Sequence, residues 1–140
     1  MEFAHSFLVF VPLLWVLVCF YCSQAWLHKL GEEQSSDTCL YHEKDDTFSL
    51  DLQASESKKF LFVASESKNT SFNFYLDVSK PEDGLQVLTP RVDGINTSVS
   101  HRGNHFFIKR RTNEFFNSEV IACPLDNTSE TTLLLPHRER

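Results

Sequence analysis

Two histidines four positions apart, His101 and His105, are the residues of this sequence whose spacing best suits metal chemistry. Histidines at that spacing share a metal ion when both lie on one face of a helix. Gly103 and Asn104 stand between them, and this pair predicts a turn that leads into a strand and separates the two rings. The sequence therefore predicts ordinary surface histidines, with no metal site and no cofactor.

Serine chemistry has no recognisable motif in this sequence. The chain lacks the Gly-x-Ser-x-Gly turn of many hydrolases, the Gly-x-x-x-x-Gly-Lys-Ser/Thr phosphate loop and the His-Glu-x-x-His zinc helix. Serines are abundant, but a serine becomes a nucleophile only beside a positioned base. These observations predict a protein without catalytic residues and without enzymatic activity.

Four basic residues form the one local concentration of positive charge in an acidic chain of net charge −6. They lie on either side of two phenylalanines at 106–107, and they are Arg102, Lys109, Arg110 and Arg111. Such a patch can bind an acidic partner or a sulfated glycan through charge and bidentate arginine contacts. The alternative is a solvated hairpin end whose charges keep a strand edge from pairing. The acidic balance of the whole chain argues against nucleic-acid binding.

The cysteines indicate an oxidising compartment. Cys19 and Cys22 belong to an apolar N-terminal run, which leaves Cys39 and Cys123 in the rest of the chain. Two cysteines in an exported domain most simply form one disulfide. We therefore predict a Cys39–Cys123 bridge.

Three tripeptides match the N-glycosylation rule, and they begin at Asn69, Asn96 and Asn127. Each follows a turn-like segment, where a glycan would be exposed to solvent. Together with the predicted disulfide, these sites favour an exported glycoprotein.

The N-terminal region has the composition of a secretory signal. Residues 7–22 are apolar except for Pro12, and the small residues Ser23 and Ala25 precede a predicted cleavage between Ala25 and Trp26. A retained N-terminal membrane anchor is the alternative, because an uncharged run of this length could span a bilayer. Cleavage is favoured, so residues 1–25 are predicted to be a signal peptide. The mature chain is predicted to be secreted and extracellular, with no stable membrane insertion.

Short strands must position these residues, because apolar side chains alternate with polar ones through much of the chain. The clearest alternation lies within residues 48–52 and 72–78, while residues 60–64 are continuously apolar, as in a strand covered on both faces. We predict a polar lead-in at 26–46, a β domain at 47–123 and a polar tail at 124–140. About seven short strands with turn signals between them predict an all-β, antiparallel sandwich or barrel, with α+β as the alternative.

The sequence thus predicts a secreted, non-enzymatic binding domain that acts as an extracellular ligand, adhesion module or receptor-like module. Its partner would be an extracellular protein. A lectin-like sandwich that binds glycans or glycosaminoglycans is the second hypothesis, and a small secreted hydrolase is the least favoured.

Overall fold

The computed structural model describes residues 6–11, 14–19, 23–115 and 117–138, and within them twelve strands form three sheets. Sheet 1 contains β1 (Ser6–Val11), β2 (Leu14–Cys19), β3 (Gln24–Lys29) and β4 (Thr38–His42). Sheet 2 contains β5 (Ser49–Ala54), β6 (Phe60–Glu66), β7 (Ser71–Asp77) and β8 (Gln86–Thr89). Sheet 3 contains β9 (Ile95–Arg102), β10 (His105–Thr112), β11 (Glu119–Pro124) and β12 (Thr132–Leu135).

Each sheet is a meander in which consecutive strands pair antiparallel. The predicted all-β, antiparallel class is therefore confirmed. The strands are arranged as three successive four-stranded sheets, and the first strands of sheets 2 and 3, β5 and β9, contact the preceding sheet. Four-stranded sheets repeated in this way are the blades of a β-propeller.

The β6 strand lies at the centre of this arrangement because it is apolar on both faces. Leu61 and Val63 pack with residues of sheet 1, among them Ala25 and Leu27. The alternate residues of β6, Phe60 and Phe62, pack in a second cluster with residues of sheet 3. Successive side chains of a strand point to opposite faces, so one continuous apolar run supplies both cores. The predicted two-sided burial of residues 60–64 is what the structure contains.

A two-residue turn joins β9 to β10. Arg102 pairs with His105 across it, and Gly103 occupies its first central position with a φ of +60°. Glycine at that position is the residue that a type II′ hairpin turn requires. The turn signal in the sequence therefore identified the hairpin correctly.

The apolar N-terminal run forms strands in the described part of the chain. β1 and β2 pair with each other, and β2 pairs with β3. The predicted cleavage between Ala25 and Trp26 falls inside β3, where Ala25 is fully buried. Positions 1–5, 12–13 and 20–22 of the predicted signal peptide lie outside the described residues. Signal cleavage stays a prediction.

The anchor alternative concerns a membrane-spanning helix. Across the described ranges, no helix is both long enough and apolar enough to cross a bilayer.

The strands extend on both sides of the predicted β domain at 47–123. β3 and β4 reach into the region predicted as a polar lead-in, and β12 lies in the region predicted as a polar tail. β4 and β12 are the edge strands of their sheets and bury little apolar surface. Their sequences consequently lack the regular alternation that identified the central strands.

The predicted disulfide is wrong, because Cys39 and Cys123 are both free. Cys39 is exposed on β4 of sheet 1, whereas Cys123 is fully buried on β11 of sheet 3. Sheet 2 lies between them, since it packs against sheet 1 on one face and sheet 3 on the other. Burial raises the pKa of the Cys123 thiol, which keeps it protonated and unreactive.

Candidate functional site

An open groove of about 340 Å³ brings together positive side chains from sheets 2 and 3. Lys68 comes from the loop between β6 and β7, and Lys109 and Arg111 come from β10. We call this feature the cationic groove and define it by six of its lining residues, which are Glu66, Lys68, Asn96, Ser98, Lys109 and Arg111.

The pairing of β9 with β10 explains how the groove forms. Ser98 lies opposite Lys109, and Asn96 lies opposite Arg111. Residues directly opposite each other on antiparallel strands share one face of the sheet, so these four polar side chains form one surface. Among the described residues, neither lysine of the groove nor Arg111 forms an ion pair.

The predicted basic patch is divided by the alternation of β10. Lys109 and Arg111 line the cationic groove, but Arg110 lies on the opposite face and donates from Nε to Oε1 of Glu119 at 2.6 Å. Arg102 is exposed at the far end of β9, beside the hairpin turn. The structure thus brings two of the four predicted residues together and adds Lys68. Sequence reasoning missed Lys68 because it treated residues 66–68 only as a polar turn.

A buried network of uncharged polar side chains holds β9 against sheet 2 behind the groove. Asn73 Nδ2 donates to Thr97 Oγ1 at 2.8 Å, and the backbone N–H of Asn73 donates to Thr89 Oγ1 at 2.8 Å. The backbone N–H of Thr97 donates to Ser71 Oγ at 2.7 Å. We call Ser71, Asn73, Thr89 and Thr97 the polar seam. All four are buried, so the seam fixes the backbone that carries Asn96 and Ser98.

A charged cluster lies where the segment after β4 meets sheet 2. The buried carboxylate of Glu43 accepts hydrogen bonds from Ser65 Oγ at 2.7 Å and from Tyr41 Oη at 2.8 Å. Arg91 binds Oδ2 of Asp45 at 2.7 Å and stacks 4.0 Å from the centre of the Phe48 ring. These groups satisfy one another. We call Tyr41, Glu43, Asp45, Ser65 and Arg91 the clamp.

The pKa values of the clamp follow from these contacts. Burial would raise the pKa of Glu43, but hydrogen bonds from Ser65, the backbone of Asp45 and Tyr41 outweigh it and hold the value below the ordinary one. Burial and the neighbouring carboxylate raise the pKa of Tyr41. Glu43 is therefore ionised and Tyr41 protonated at neutral pH.

A serine–histidine contact joins the β5–β6 turn to sheet 3. Ser57 Oγ lies 2.8 Å from His101 Nδ1, and His101 Nε2 lies 2.8 Å from the carbonyl oxygen of Gly103. A carbonyl oxygen only accepts hydrogen bonds, so Nε2 carries the proton and Nδ1 accepts from Ser57. Both ring nitrogens of His101 are thus occupied by hydrogen bonds within the protein.

The two histidines singled out by their spacing lie in different environments. His101 is buried beside the rings of Phe60 and Phe106. His105 is exposed at the start of β10. The prediction of a surface histidine therefore fails for His101, because its strand faces the core between sheets 2 and 3.

The three predicted glycosylation sites also differ in environment. Asn69 and Asn127 are exposed in the segments that follow β6 and β11. Asn96 is half-buried on β9, lines the cationic groove and precedes the buried Thr97. A glycan on Asn96 would occupy the groove.

Comparison with known proteins relates the chain to a family of peptidases. Residues 20–140 match the model described as prolyl oligopeptidase, N-terminal beta-propeller domain. Protease 2 of Moraxella lacunata is 38% identical over 117 residues, which are 83% of this chain and 17% of that protein.

Two solved structures extend this similarity to the fold. Oligopeptidase B from Leishmania major superposes with a TM-score of 0.83 at 25% identity, over 94% of this chain and 20% of that one. Oligopeptidase B from Trypanosoma brucei, in a closed form with covalently bound antipain, gives 0.82 at 25% identity over 95% and 20%. The chain therefore spans about a fifth of the length of the proteins that it matches.

Proposed function

The chain belongs to the prolyl oligopeptidase family, in which it matches the N-terminal β-propeller domain, and from this membership we propose that the protein carrying it is a peptidase acting on short peptides. The match over residues 20–140 carries the proposal. The names of the similar proteins, a protease and two oligopeptidases, support both the reaction and the class of substrate.

The prediction of a non-enzymatic binding domain is wrong, because the family is one of peptidases. The alternative of a lectin-like sandwich is wrong for the same reason. Enzyme motifs were sought in a region that matches a propeller, and a propeller is a scaffold of repeated sheets. The absence of these motifs from this region therefore carries no information about the activity of the whole protein.

The interpretation as a secreted, disulfide-bonded glycoprotein module also needs correction. One of its three supports was the Cys39–Cys123 bridge, and both cysteines are free. The apolar residues assigned to a signal form β1 and β2, which are ordinary strands of sheet 1. Location outside the cell stays a prediction.

We assign this region a role in holding the substrate, with bond cleavage carried out elsewhere in the protein. The clamp and the Ser57–His101 contact are occupied by their own hydrogen bonds. The cationic groove, in contrast, is open, and its three cations form no ion pair with any described residue. This groove presents hydrogen-bond donors and acceptors to solvent, so we infer that it is the surface that contacts a peptide.

The test is a peptide-hydrolysis assay on the purified protein that carries this chain. We expect cleavage of short, internally quenched peptides in proportion to protein concentration. The Phe106→Ala variant should lose this activity at a lower temperature than the unaltered protein, because it empties the core between sheets 2 and 3. Val87→Ala, at a residue that is 59% exposed, serves as the matched control and should behave like the unaltered protein. A folded protein that binds peptides and cleaves none of them would refute the proposal.

A further inference from the structure

We propose that the cationic groove binds an extended acidic peptide segment in which two carboxylate side chains stand at alternate positions, as in Glu-x-Glu. The peptide class rests on the proposed peptidase function. The acidic preference rests on the groove itself, whose lining residues come from two sheets and converge on one opening.

The spacing of the cations defines the ligand. Lys109 and Arg111 are two positions apart on β10 and share a face, which separates their backbones by about 7 Å. An extended peptide repeats with the same period, so its alternate side chains also stand about 7 Å apart. One carboxylate can therefore meet Arg111, which offers two parallel donors, while the next meets the point charge of Lys109.

Lys68 strengthens this preference from the other wall of the groove. It is exposed in the loop that joins β6 to β7 of sheet 2, whereas the other two cations lie on β10 of sheet 3. Three cations with no ion-paired partner among the described residues stand out in a chain whose net charge is −6. Their unneutralised charge attracts anions locally although the chain as a whole repels them.

The remaining lining residues favour a peptide over a sulfated glycan. Asn96 and Ser98 offer both donors and acceptors, which suits the N–H and C=O groups of a peptide backbone. Glu66 places a carboxylate in the same groove, where it can accept a hydrogen bond from a peptide N–H.

The test measures binding directly, by fluorescence anisotropy of a labelled Glu-Ala-Glu-Ala peptide added to the protein that carries this chain. We expect Lys109→Gln combined with Arg111→Gln to weaken binding by about tenfold or more, since two charged hydrogen-bonding contacts are lost. The control is Arg102→Gln, which removes an exposed cation from the same hairpin outside the groove and should leave affinity within about twofold. A Gln-Ala-Gln-Ala peptide should bind as weakly as the double variant does. Thermal unfolding of each variant confirms that it is folded.

Each result decides between the hypotheses. An equal loss with Arg102→Gln would show that only net charge matters and would overturn the inference. Heparin binding that depends on Lys109 and Arg111, without peptide binding, would replace the peptide by a sulfated glycan. Groove-dependent peptide binding without any hydrolysis would uphold the acidic preference and refute the peptidase. Hydrolysis of neutral peptides without binding of the acidic peptide would uphold the peptidase and refute the acidic preference.

Discussion

The two interfaces between neighbouring sheets are built from different side chains. Sheets 1 and 2 meet mainly through aliphatic residues, among them Ala25, Leu61 and Val63, together with a ring contact of Tyr41 with Phe74, and the charged clamp lies beside this interface. Sheets 2 and 3 meet through aromatic rings, and the uncharged polar seam lies beside them. The charged clamp makes the first interface sensitive to ionisation, whereas the polar seam of the second contains no ionisable side chain.

The largest difference should appear when each core loses its central side chain. Phe106 is fully buried, and its ring centre lies 5.0 Å from that of Phe60 and 4.9 Å from that of Tyr75. We expect Phe106→Ala to lower the free energy of unfolding by about 3–5 kcal/mol and Leu61→Ala by about 2–5 kcal/mol, with the aromatic deletion costing more. Urea denaturation of both variants measures the order. A larger loss for Leu61→Ala would contradict this order.

The polar seam should come next in magnitude. Asn73→Ala removes the side-chain amide that donates to the hydroxyls of Thr97 and Thr89, and it leaves a gap in a buried hydrogen-bond network. We expect the free energy of unfolding to fall by about 1–3 kcal/mol, with little dependence on pH because no member of the seam titrates. Asn127→Ala, at an exposed asparagine, is the control and should change stability by less than about 0.5 kcal/mol. A loss for Asn73→Ala that varies strongly with pH would show that the seam is coupled to the clamp.

The smallest effect at neutral pH, but the most specific one, should come from the clamp. The pKa of Glu43 is lower in the folded protein than its ordinary value of 4.5. The stability that ionised Glu43 contributes is therefore fully present above pH 4.5 and is lost as the pH falls through its lower folded value. Unfolding free energies measured across this range should fall less steeply for Glu43→Gln than for the unaltered protein. Glu130→Gln, at an exposed carboxylate, should leave the dependence of the unfolding free energy on pH unchanged. An equal effect of both variants would show that the clamp is not the source of this pH dependence.

The sequence predicted features that are encoded locally. Residues 60–64 are continuously apolar, and this correctly indicated burial on both faces of β6. Gly103 predicted its hairpin because only a glycine adopts the required backbone without strain. The class of the fold followed from such patterns, since alternation is a property of the strand itself.

Features that depend on distant parts of the chain could not be predicted in this way. An apolar run followed by small residues fits a signal peptide as well as a pair of strands, so β1 and β2 were missed. The number of cysteines carried no information about the sheet that separates Cys39 from Cys123. The alternation of β10 could have separated Arg110 from Lys109 and Arg111, but Lys68 joins them only through the packing of sheet 2 against sheet 3.

The two-faced β6 strand restricts how this region can change in length. Inserting one residue within it would turn the following side chains to the opposite faces, so a phenylalanine would enter the aliphatic interface and a valine the aromatic one. The first interface would then be overfilled and the second left with a cavity. Insertions and deletions within β6 are therefore compatible with both interfaces only when they involve an even number of residues. The turns at its two ends are not restricted in this way.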